Sequence, residues 1–478
     1  MRYTQVKRLD SVERLRTHLA DLGVDIPVDE AVDPNGPLGE PVTIHDGSAG
    51  DLTAPNRFAI LPMEGWDGTT DGRPTDLVRR RWQRIGTSGA GLAWCEATAV
   101  HADGRANPNQ LVLTADTVDG FAALRELLAS NQVSGLQLTH SGRWSRPLGT
   151  PAPRIAYRHP MLDDRVGAGD AELLSDAELD ELAGRYVDAA VLAHQAGFDF
   201  VDIKHCHGYL LHELLSGFDR PGRFGGDLDG RTQFLRTVVA GIRWRAPQLA
   251  IGVRLSAFDF MPYTAGTDGA GVPATTEPEY RYTFGGDGTG LGIDLAETHA
   301  FLDVLTELGI GLVSITAGSP YYNPHVQRPA YFPPSDGYQP PEDPLVGVAR
   351  QLAATAELTH RHPDLTIIGS GYSYLQDWLP NVGQAVVARG DATMIGLGRM
   401  VLSYPELPRD VLAGRPVQRA LVCRTFSDCT TAPRNGLVSG CFPIDPFYKS
   451  HADRVELTRV KKQARGPAHT PGNTEDSA

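Results

Sequence analysis

Residues 175–204, SDAELDELAGRYVDAAVLAHQAGFDFVDIK, contain one complete step of a pattern that repeats along the chain. The stretch begins with Ser175 and Glu178 at capping-box spacing, and apolar periodicity then predicts an amphipathic helix over Asp176–Ala196. The helix is followed by a short apolar run, Phe200–Lys204, as expected of a strand buried on both faces. A helix leading directly into a buried strand indicates parallel strands joined by crossover helices.

The alternation of strand and helix occurs eight times. The predicted strands are Phe58–Leu61, Leu92–Thr98, Gly135–Thr139, Phe200–Lys204, Ala250–Ser256, Leu312–Thr316, Thr366–Ile368 and Ala392–Ile395. A further crossover helix is predicted over Asp294–Leu308. Eight such units fit a closed (β/α)8 TIM barrel better than an open doubly wound sheet. We therefore predict an α/β protein whose barrel domain covers residues 51–415.

Composition excludes several functional classes. Of 478 residues, 41% are hydrophobic and 21% charged, which permits a large core and excludes wholesale disorder. The 44 basic and 58 acidic residues give a net charge of −14 with no basic run, so nucleic acid is not an expected partner. Five cysteines favour a reducing compartment over a disulfide scaffold. We expect no signal peptide, no membrane span and a cytoplasmic location.

Four segments lie outside the repeat. Residues 1–50 form an N-terminal extension, expected to be a helix and loops packed on the barrel. The Gly-, Thr- and aromatic-rich loop 262–290 follows the fifth strand and is interpreted as a lid, or else as a surface insertion. Residues 416–462 contain three cysteines, and residues 463–478 are polar and expected to be a disordered tail.

Side-chain alternation sends polar groups into the barrel. The inward-facing positions predicted in this way are Gln137, Asp202, Lys204, Arg254, Ser314 and Thr316. One buried ion pair, such as Lys204 with Asp202, would be a structural explanation. Polar groups on four strands, all aimed at one mouth, favour a polar ligand there.

Glycine-rich loops follow the last two strands. Gly369-Ser370-Gly371 comes after strand seven, and strand eight runs into Gly396-Leu397-Gly398-Arg399. Glycines allow the backbone N–H groups to approach a phosphate, and an arginine can clamp it. Because these two loops form the usual phosphate site of the fold, we expect a phosphate-bearing ligand.

Ordered motifs between about Pro55 and Pro446 resemble the old yellow enzyme family of FMN-dependent oxidoreductases. The chain is most similar to the bacterial branch that includes 2,4-dienoyl-CoA reductase and trimethylamine dehydrogenase. The motifs are Asn56-Arg57 through Pro62-Met63, Gly91-Leu92 through Thr98, Gln137–Arg143, His207–Leu211 followed by Phe224-Gly225-Gly226, Arg254 within VRLSAFD, and Gly396–Arg399.

The resemblance implies FMN at the barrel mouth. The cofactor-binding residues it implies are Pro62, Met63, Ala97, Gln137, Arg254, Gly369, Gly371, Gly398 and Arg399. Gln137 would bind the pyrimidine edge, Arg254 would stabilise charge on the reduced ring, and Arg399 would hold the phosphate. Tyr209, two residues after His207, would supply a proton to the substrate.

Two positions depart from the family pattern. The substrate-anchoring pair is Lys204 and His207, where relatives have two histidines or a histidine and an asparagine. Lys204 suggests an anionic or strongly polarised substrate group, unless it only pairs with an acid such as Glu64. Glu64 itself could tune the flavin or act as a general base, or could be a solvated loop residue. Lys204, His207 and Glu64 are, together with Tyr209, the candidate catalytic residues.

Cys423, Cys429 and Cys441 fall close to the spacing of the iron–sulfur segment of this branch, which needs four thiolates. The second ligand position is Phe426. Asp428 or His451 could complete a cluster, but we favour its loss, with the cysteines left as core residues or a zinc site.

The leading hypothesis is therefore an FMN-dependent reductase of an activated C=C bond in a small molecule, with NAD(P)H as donor. The alternatives are a dehydrogenase acting on an alcohol, amine or activated C–H bond, a redox-neutral isomerase or lyase, and a non-catalytic FMN-binding barrel. A homodimer and an electron-transfer partner are both compatible with the sequence.

Overall fold

The computed structural model describes residues 3–464. Its strands, in chain order, are β1 Val42–Ile44, β2 Leu52–Ala54, β3 Phe58–Ile60, β4 Leu92–Ala99, β5 Val133–Thr139, β6 Phe200–Ile203, β7 Ala250–Ser256, β8 Tyr263–Ala265, β9 Gly271–Pro273, β10 Leu312–Thr316, β11 Thr366–Gly369 and β12 Met394–Leu397. Eight of these strands close into a barrel in the order β3-β4-β5-β6-β7-β10-β11-β12, with every neighbouring pair parallel. The predicted (β/α)8 barrel is confirmed.

Helices connect the barrel strands and continue beyond the last one. In chain order they are α1 Val12–Asp21, α2 Asp76–Gly86, α3 Val118–Arg125, α4 Asp163–Val166, α5 Asp176–Gln195, α6 Leu210–Leu215, α7 Leu228–Arg245, α8 Ala296–Glu307, α9 Pro324–Gln327, α10 Pro344–Arg361, α11 Leu379–Ala388, α12 Met400–Ser403, α13 Leu407–Leu412, α14 Asp428–Arg434, α15 Pro446–Lys449 and α16 Asp453–Ala464. None of them is both long and apolar enough to cross a membrane.

The predicted elements agree closely with these bounds. Each barrel strand begins and ends within two residues of its prediction, and β7 and β10 match at both ends. The capping box of α5 is present, with Ser175 and Glu178 each accepting from the other's backbone N–H. Gln137 and Asp202, both predicted to face the barrel interior, meet there. Gln137 and Trp94 both donate to the buried carboxylate of Asp202.

The N-terminal region closes the lower end of the barrel. Strand β1 pairs antiparallel with β2, and Val42 and Ile44 join the same apolar cluster as Trp94 and Phe200 inside the barrel. The expected helix is present as α1, but this hairpin was not predicted. Each of its strands is three residues long, too short for alternation to be recognised.

Residues 416–464 lie against the barrel mouth and the helices beside it. Arg80 of α2 forms an ion pair with Asp445 at 2.9 Å and lies over the ring of Phe447. Lys461 of α16 forms an ion pair with Asp428 at the start of α14. Helix α16 also includes 463–464, the first two residues of the predicted disordered tail, so those two residues are helical. The rest of that tail, 465–478, lies outside the described residues.

Candidate active site

A pocket opens at the C-terminal ends of the barrel strands, where the active sites of this fold lie. We call it the inner pocket. The residues of interest in its lining are Pro62, Met63, Glu64, Trp66, Gln137, Lys204, His207, Tyr209, Tyr321, Gln327, Arg328, Arg399, Cys429, Thr430 and Arg434. Parallel strands place their following loops at this end, which is why residues so distant in sequence meet here.

A second, larger space adjoins the inner pocket, and we call it the outer cleft. It shares Trp66, Tyr321 and Arg434 with the lining of the inner pocket. Trp144 and Arg146 form part of its wall. The outer cleft therefore connects the inner pocket to the surface.

The 262–290 insertion contributes no residue to the lining of the inner pocket within the described part of the chain. It folds as the antiparallel hairpin β8–β9 followed by a loop. The hydroxyl of Tyr280 in this loop lies 2.7 Å from Nε2 of His159. Whether the insertion acts as a lid stays a prediction.

The carboxylate of Glu64 collects three donors in the inner pocket. Lys204 Nζ lies 2.8 Å from Oε1, while Trp66 Nε1 donates to Oε2 at 2.8 Å. The hydroxyl of Tyr209 donates to Oε2 at 3.2 Å. Lys204 is 2% exposed, so this is a buried ion pair and the two charges offset each other. The interpretation of Lys204 as pairing with Glu64 is the one that the geometry matches.

Two phenols meet at the pocket wall. The hydroxyls of Tyr209 and Tyr321 lie 3.0 Å apart, and the ammonium of Lys204 lies 3.8 Å from the centre of the Tyr209 ring. The ring of Tyr321 stacks parallel on Trp144 with 4.5 Å between centroids. Burial, followed by the carboxylate of Glu64, raises the pKa of Tyr209 well above its ordinary value. Tyr209 is therefore protonated at neutral pH.

His207 adopts a left-handed backbone conformation, with φ of 68°, which is uncommon for a residue other than glycine. Its backbone N–H donates to Ser256 Oγ, and Ser319 Oγ donates to its carbonyl at 2.8 Å. Burial and the nearby cations Arg254 and Lys204 lower the pKa of His207 well below its ordinary value. The imidazole is therefore neutral.

A buried ionic network supports the turn that carries Met63 and Glu64. Arg81 of α2 bonds both oxygens of Asp67, at 2.7 and 2.8 Å, and Oε1 of Glu96 at 2.8 Å. The second oxygen of Glu96 accepts from the backbone N–H of Gly65 at 3.2 Å. The network thus fixes this loop to β4 and α2 and holds the Glu64 backbone in place.

Asp202 organises the floor of the pocket. It accepts from Gln137 Nε2 at 2.5 Å and from the backbone N–H of Arg254 at 2.8 Å. Burial raises the pKa of the Asp202 carboxyl to about 6, although these hydrogen bonds oppose the effect. Gln137 lines the inner pocket while its amide remains tied to Asp202.

Within residues 3–464, three arginines near the barrel mouth each have a buried nitrogen atom without a hydrogen-bond partner: Arg254 Nε, Arg328 Nε and Arg399 Nη1. Arg254 is buried, whereas Arg328 and Arg399 are half-buried. Among the same residues, none of the three has a carboxylate oxygen within 4.0 Å. Burial lowers the pKa of all three, and the proximity of Arg399 helps to lower that of Arg328 to about 9. Adjacent unpaired cations are costly in a protein interior, so this side of the pocket fits an anionic group such as the phosphate of FMN.

The glycines next to these arginines leave room for such a group. A Cβ on Gly398 would meet only Met63 Sδ, at 3.6 Å, and Gly371 has a φ of 97° that favours glycine. A Cβ on Gly369 would instead press on the hydroxyl of Tyr372 at 2.7 Å. Ala97, the remaining predicted contact, uses its carbonyl to accept from Gln110 at 3.1 Å. The residues present therefore fit FMN.

Sequence reasoning missed Tyr321, Gln327 and Arg328. All three follow β10: Tyr321 lies in the loop before α9, Gln327 is the last residue of α9, and Arg328 comes immediately after it. A signal was present, because every loop after a barrel strand faces the mouth and 319–328 contains two tyrosines and an arginine. Which of these side chains turns inward could not be read from the pattern.

The three C-terminal cysteines lie close enough to influence one another. Burial raises the pKa of Cys441 to about 12, with Cys423 and Cys429 adding to the effect. Phe426, at the second position of the iron–sulfur pattern, stacks on Phe332 at 5.4 Å. Across residues 3–464, no three or more His, Cys, Asp or Glu residues form a group that could hold a metal ion. The assignment of these cysteines stays a prediction.

Sequence comparison identifies related proteins. A model of the family described as NADH:flavin oxidoreductase / NADH oxidase matches residues 38–276. The NADPH dehydrogenase of Bacillus subtilis strain 168 is 26% identical over 379 residues, covering 78% of this chain and 93% of its own. A metal reductase of Desulforamulus reducens is 26% identical over 378 residues, covering 77% of this chain and 48% of its own.

Structural comparison shows the same fold in solved proteins. A 2-naphthoyl-CoA reductase aligns with a TM-score of 0.64 and 18% identity, over 86% of this chain and 57% of its own. Histamine dehydrogenase from Rhizobium sp. 4-9 aligns with a TM-score of 0.64 and 20% identity, over 87% of this chain and 53% of its own. The chain thus spans just over half the length of these two proteins, which share its fold.

Proposed function

The chain belongs to the NADH:flavin oxidoreductase / NADH oxidase family, and we propose that it uses FMN to reduce an activated C=C bond with NAD(P)H as donor. The observation that carries this proposal is the pair of arginines, Arg328 and Arg399, that line the same pocket as Tyr209, each with a buried nitrogen that has no hydrogen-bond partner in residues 3–464. When bound, FMN supplies hydride transfer between the nicotinamide and an electron-poor carbon.

The pocket residues divide between two tasks. Arg399 and Arg328 would hold the phosphate beside Gly398, while Arg254 and Gln137 would contact the ring from the pocket floor. Arg254 suits that place because a fixed cation in a water-poor site stabilises negative charge that develops during the reaction. Pro62 and Met63, in the turn supported by the Arg81 network, would contact the ring from above β3.

Tyr209 would donate the proton that accompanies hydride transfer. Its raised pKa keeps the hydroxyl protonated, and it lines the pocket beside the neutral imidazole of His207. A phenol within reach of a developing enolate is a competent general acid. His207 would bind the carbonyl that activates the double bond.

The Lys204–Glu64 ion pair bears on substrate choice. Because Glu64 offsets the charge of Lys204, the pair offers no free cation to an anionic substrate. We therefore propose a neutral activating group, such as a ketone, aldehyde or ester carbonyl, in a small-molecule substrate.

Oxidation of an alcohol, amine or activated C–H bond is the second candidate. Glu64 favours it, because a carboxylate bordering the pocket beside Tyr209 could accept a substrate proton. Electrons would then pass to FMN from the substrate. We also propose a cytoplasmic location, where NAD(P)H is available, and a homodimer or an electron-transfer partner as further hypotheses.

Anaerobic spectroscopy of the purified protein tests the proposal. The isolated protein should show FMN absorption bands, which NADPH or NADH should bleach and a small cyclic enone should restore. Bleaching by an alcohol or amine alone, with no response to nicotinamide, would favour the dehydrogenase. A protein that carries no flavin, and binds none when FMN is added, would contradict both.

A further inference from the structure

Tyr209 is almost sealed from solvent, with 3% of its surface exposed. If it donates a proton in each turnover, as the proposed function requires, its phenolate must recover one before the next. That phenolate would lie 3.2 Å from the carboxylate of Glu64 in a buried site, where two like charges are unfavourable. Recovery of the proton therefore needs a nearby donor.

Among the described residues, the hydroxyl of Tyr209 has two hydrogen-bond partners, Glu64 and Tyr321. Glu64 already accepts from Lys204 and Trp66 in addition to Tyr209. It is therefore committed as an acceptor. Tyr321, 3.0 Å away, is the partner that carries a proton it can give.

Tyr321 also reaches the surface. It lines both the inner pocket and the outer cleft, and its side chain is partly exposed. Its ring is held by the parallel stack on Trp144, and its loop is tied to the segment that carries Tyr209 because Ser319 Oγ donates to the carbonyl of His207. The distance between the two phenols is therefore fixed by both ring and backbone.

We propose that Tyr321 is a positioning residue that returns a proton from the outer cleft to Tyr209 after each turnover. The O–H bond of Tyr209 breaks as a C–H bond forms on the substrate, leaving the electron pair on the Tyr209 oxygen. The O–H bond of Tyr321 then breaks as that of Tyr209 re-forms. Water in the outer cleft restores the proton of Tyr321, so one solvent proton is consumed for each substrate reduced.

The proposal rests on the proposed function, and comparison of two kinetic regimes tests it. Reduced holoenzyme is mixed with a small cyclic enone, and recovery of flavin absorbance gives the rate of the first turnover. Steady-state turnover is measured with the same enone and NADPH, in H2O and D2O. The variants are Tyr321→Phe, Tyr209→Phe and, as a matched control, Tyr322→Phe, whose hydroxyl donates to Asp259 instead.

In Tyr321→Phe the first turnover should keep its wild-type rate, because Tyr209 starts out protonated. Steady-state turnover should fall by about 10-fold or more, with a larger solvent isotope effect, since a positioned proton donor contributes about 10²–10⁴-fold. Tyr322→Phe should leave both rates and the isotope effect close to wild type. Cofactor-free protein labelled with 3-fluorotyrosine gives a second readout, in which the Tyr209 fluorine signal should shift in Tyr321→Phe but not in Tyr322→Phe.

Three results would overturn the proposal that Tyr321 returns a proton to Tyr209. An unchanged steady state in Tyr321→Phe shows that Tyr209 recovers its proton elsewhere. Equal slowing of first and later turnovers shows that Tyr321 only shapes the pocket. A first turnover that is unaffected in Tyr209→Phe refutes the acid role of Tyr209 itself, and with it that part of the proposed function.

Discussion

Glu64 and Tyr209, 145 positions apart in the chain, share a hydrogen bond of 3.2 Å at the wall of the inner pocket. The carboxylate that accepts this bond also accepts from Lys204. After burial, it is the largest cause of the raised pKa of Tyr209. This arrangement makes the ionisation of Tyr209 dependent on Glu64.

Replacing Glu64 with Gln should make the reaction sensitive to alkaline pH. Tyr209 must be protonated to donate, so activity is present below its pKa and lost above it. Burial and Glu64 both raise that pKa, and removing the carboxylate should lower it, while Lys204 loses its partner. The alkaline limb of the pH–rate profile for enone reduction should move to lower pH. Glu64→Asp retains the charge and serves as the control; the same displacement in that variant would argue against the electrostatic account.

Replacing Arg399 or Arg328 with Ala should weaken retention of FMN. Each has a buried nitrogen without a hydrogen-bond partner among residues 3–464, and a charge-assisted hydrogen bond contributes about 1.5–3 kcal/mol, or roughly a 10- to 150-fold change in Kd. Fluorescence titration of cofactor-free protein with FMN measures the change. Arg415→Ala, which removes a half-exposed arginine paired with Asp410, should bind FMN normally. Wild-type affinity for FMN in both pocket variants would contradict the proposal that the phosphate binds on this side of the pocket.

Replacing Arg81 with Met should strongly destabilise the fold. The substitution leaves the buried carboxylates of Asp67 and Glu96 without their cation, which typically costs about 3–5 kcal/mol. Urea denaturation should show the loss. Arg79→Ala, in the same helix, removes an exposed pair with Asp76 and should cost at most about 1 kcal/mol. Similar midpoints for the two variants would mean that the network adds little.

The contribution of Asp202 to the free energy of unfolding should fall as the pH rises from about 4 to 6. Its folded pKa of about 6 lies above the unfolded value of about 4, so the folded state holds the extra proton across this window. Stability from this group is complete below pH 4 and is lost by about 3 kcal/mol as pH passes 6. Urea unfolding of wild type and Asp202→Asn at several pH values checks this. A wild-type slope that survives in the variant must come from another group.

The sequence predicted the barrel because its signal is local and repeated. Runs such as Ala250–Ser256 are buried on both faces and bounded by turn residues, so their ends are visible without a partner strand. The β1–β2 hairpin was missed because three residues carry no period, and what makes them strands is the barrel end they cover.

The site was predictable where a residue sits on a strand and less so where it sits on a loop. Gln137 and Lys204 follow from strand parity, which fixes the direction of a side chain. The approach of Tyr321 to Tyr209 depends instead on how the loop after β10 folds back over the mouth, and no pattern within the loop encodes that distance. The pairing of Lys204 with Glu64 was one of three interpretations, beside a pairing with Asp202 and an anionic substrate group, and only the folded loop distinguishes them.

The hairpin β1–β2 covers the lower end of the barrel, and the inner pocket lies at the opposite end, beside the outer cleft. Under the proposed function, nicotinamide and enone would both enter from the end that carries the inner pocket and would bind in turn beside the same flavin ring. Each substrate must dissociate before the other can bind, so an excess of one inhibits binding of the other. By covering the lower end of the barrel, the β1–β2 hairpin would thereby favour alternating binding of the two substrates, although it lies on the opposite side of the barrel from the active site.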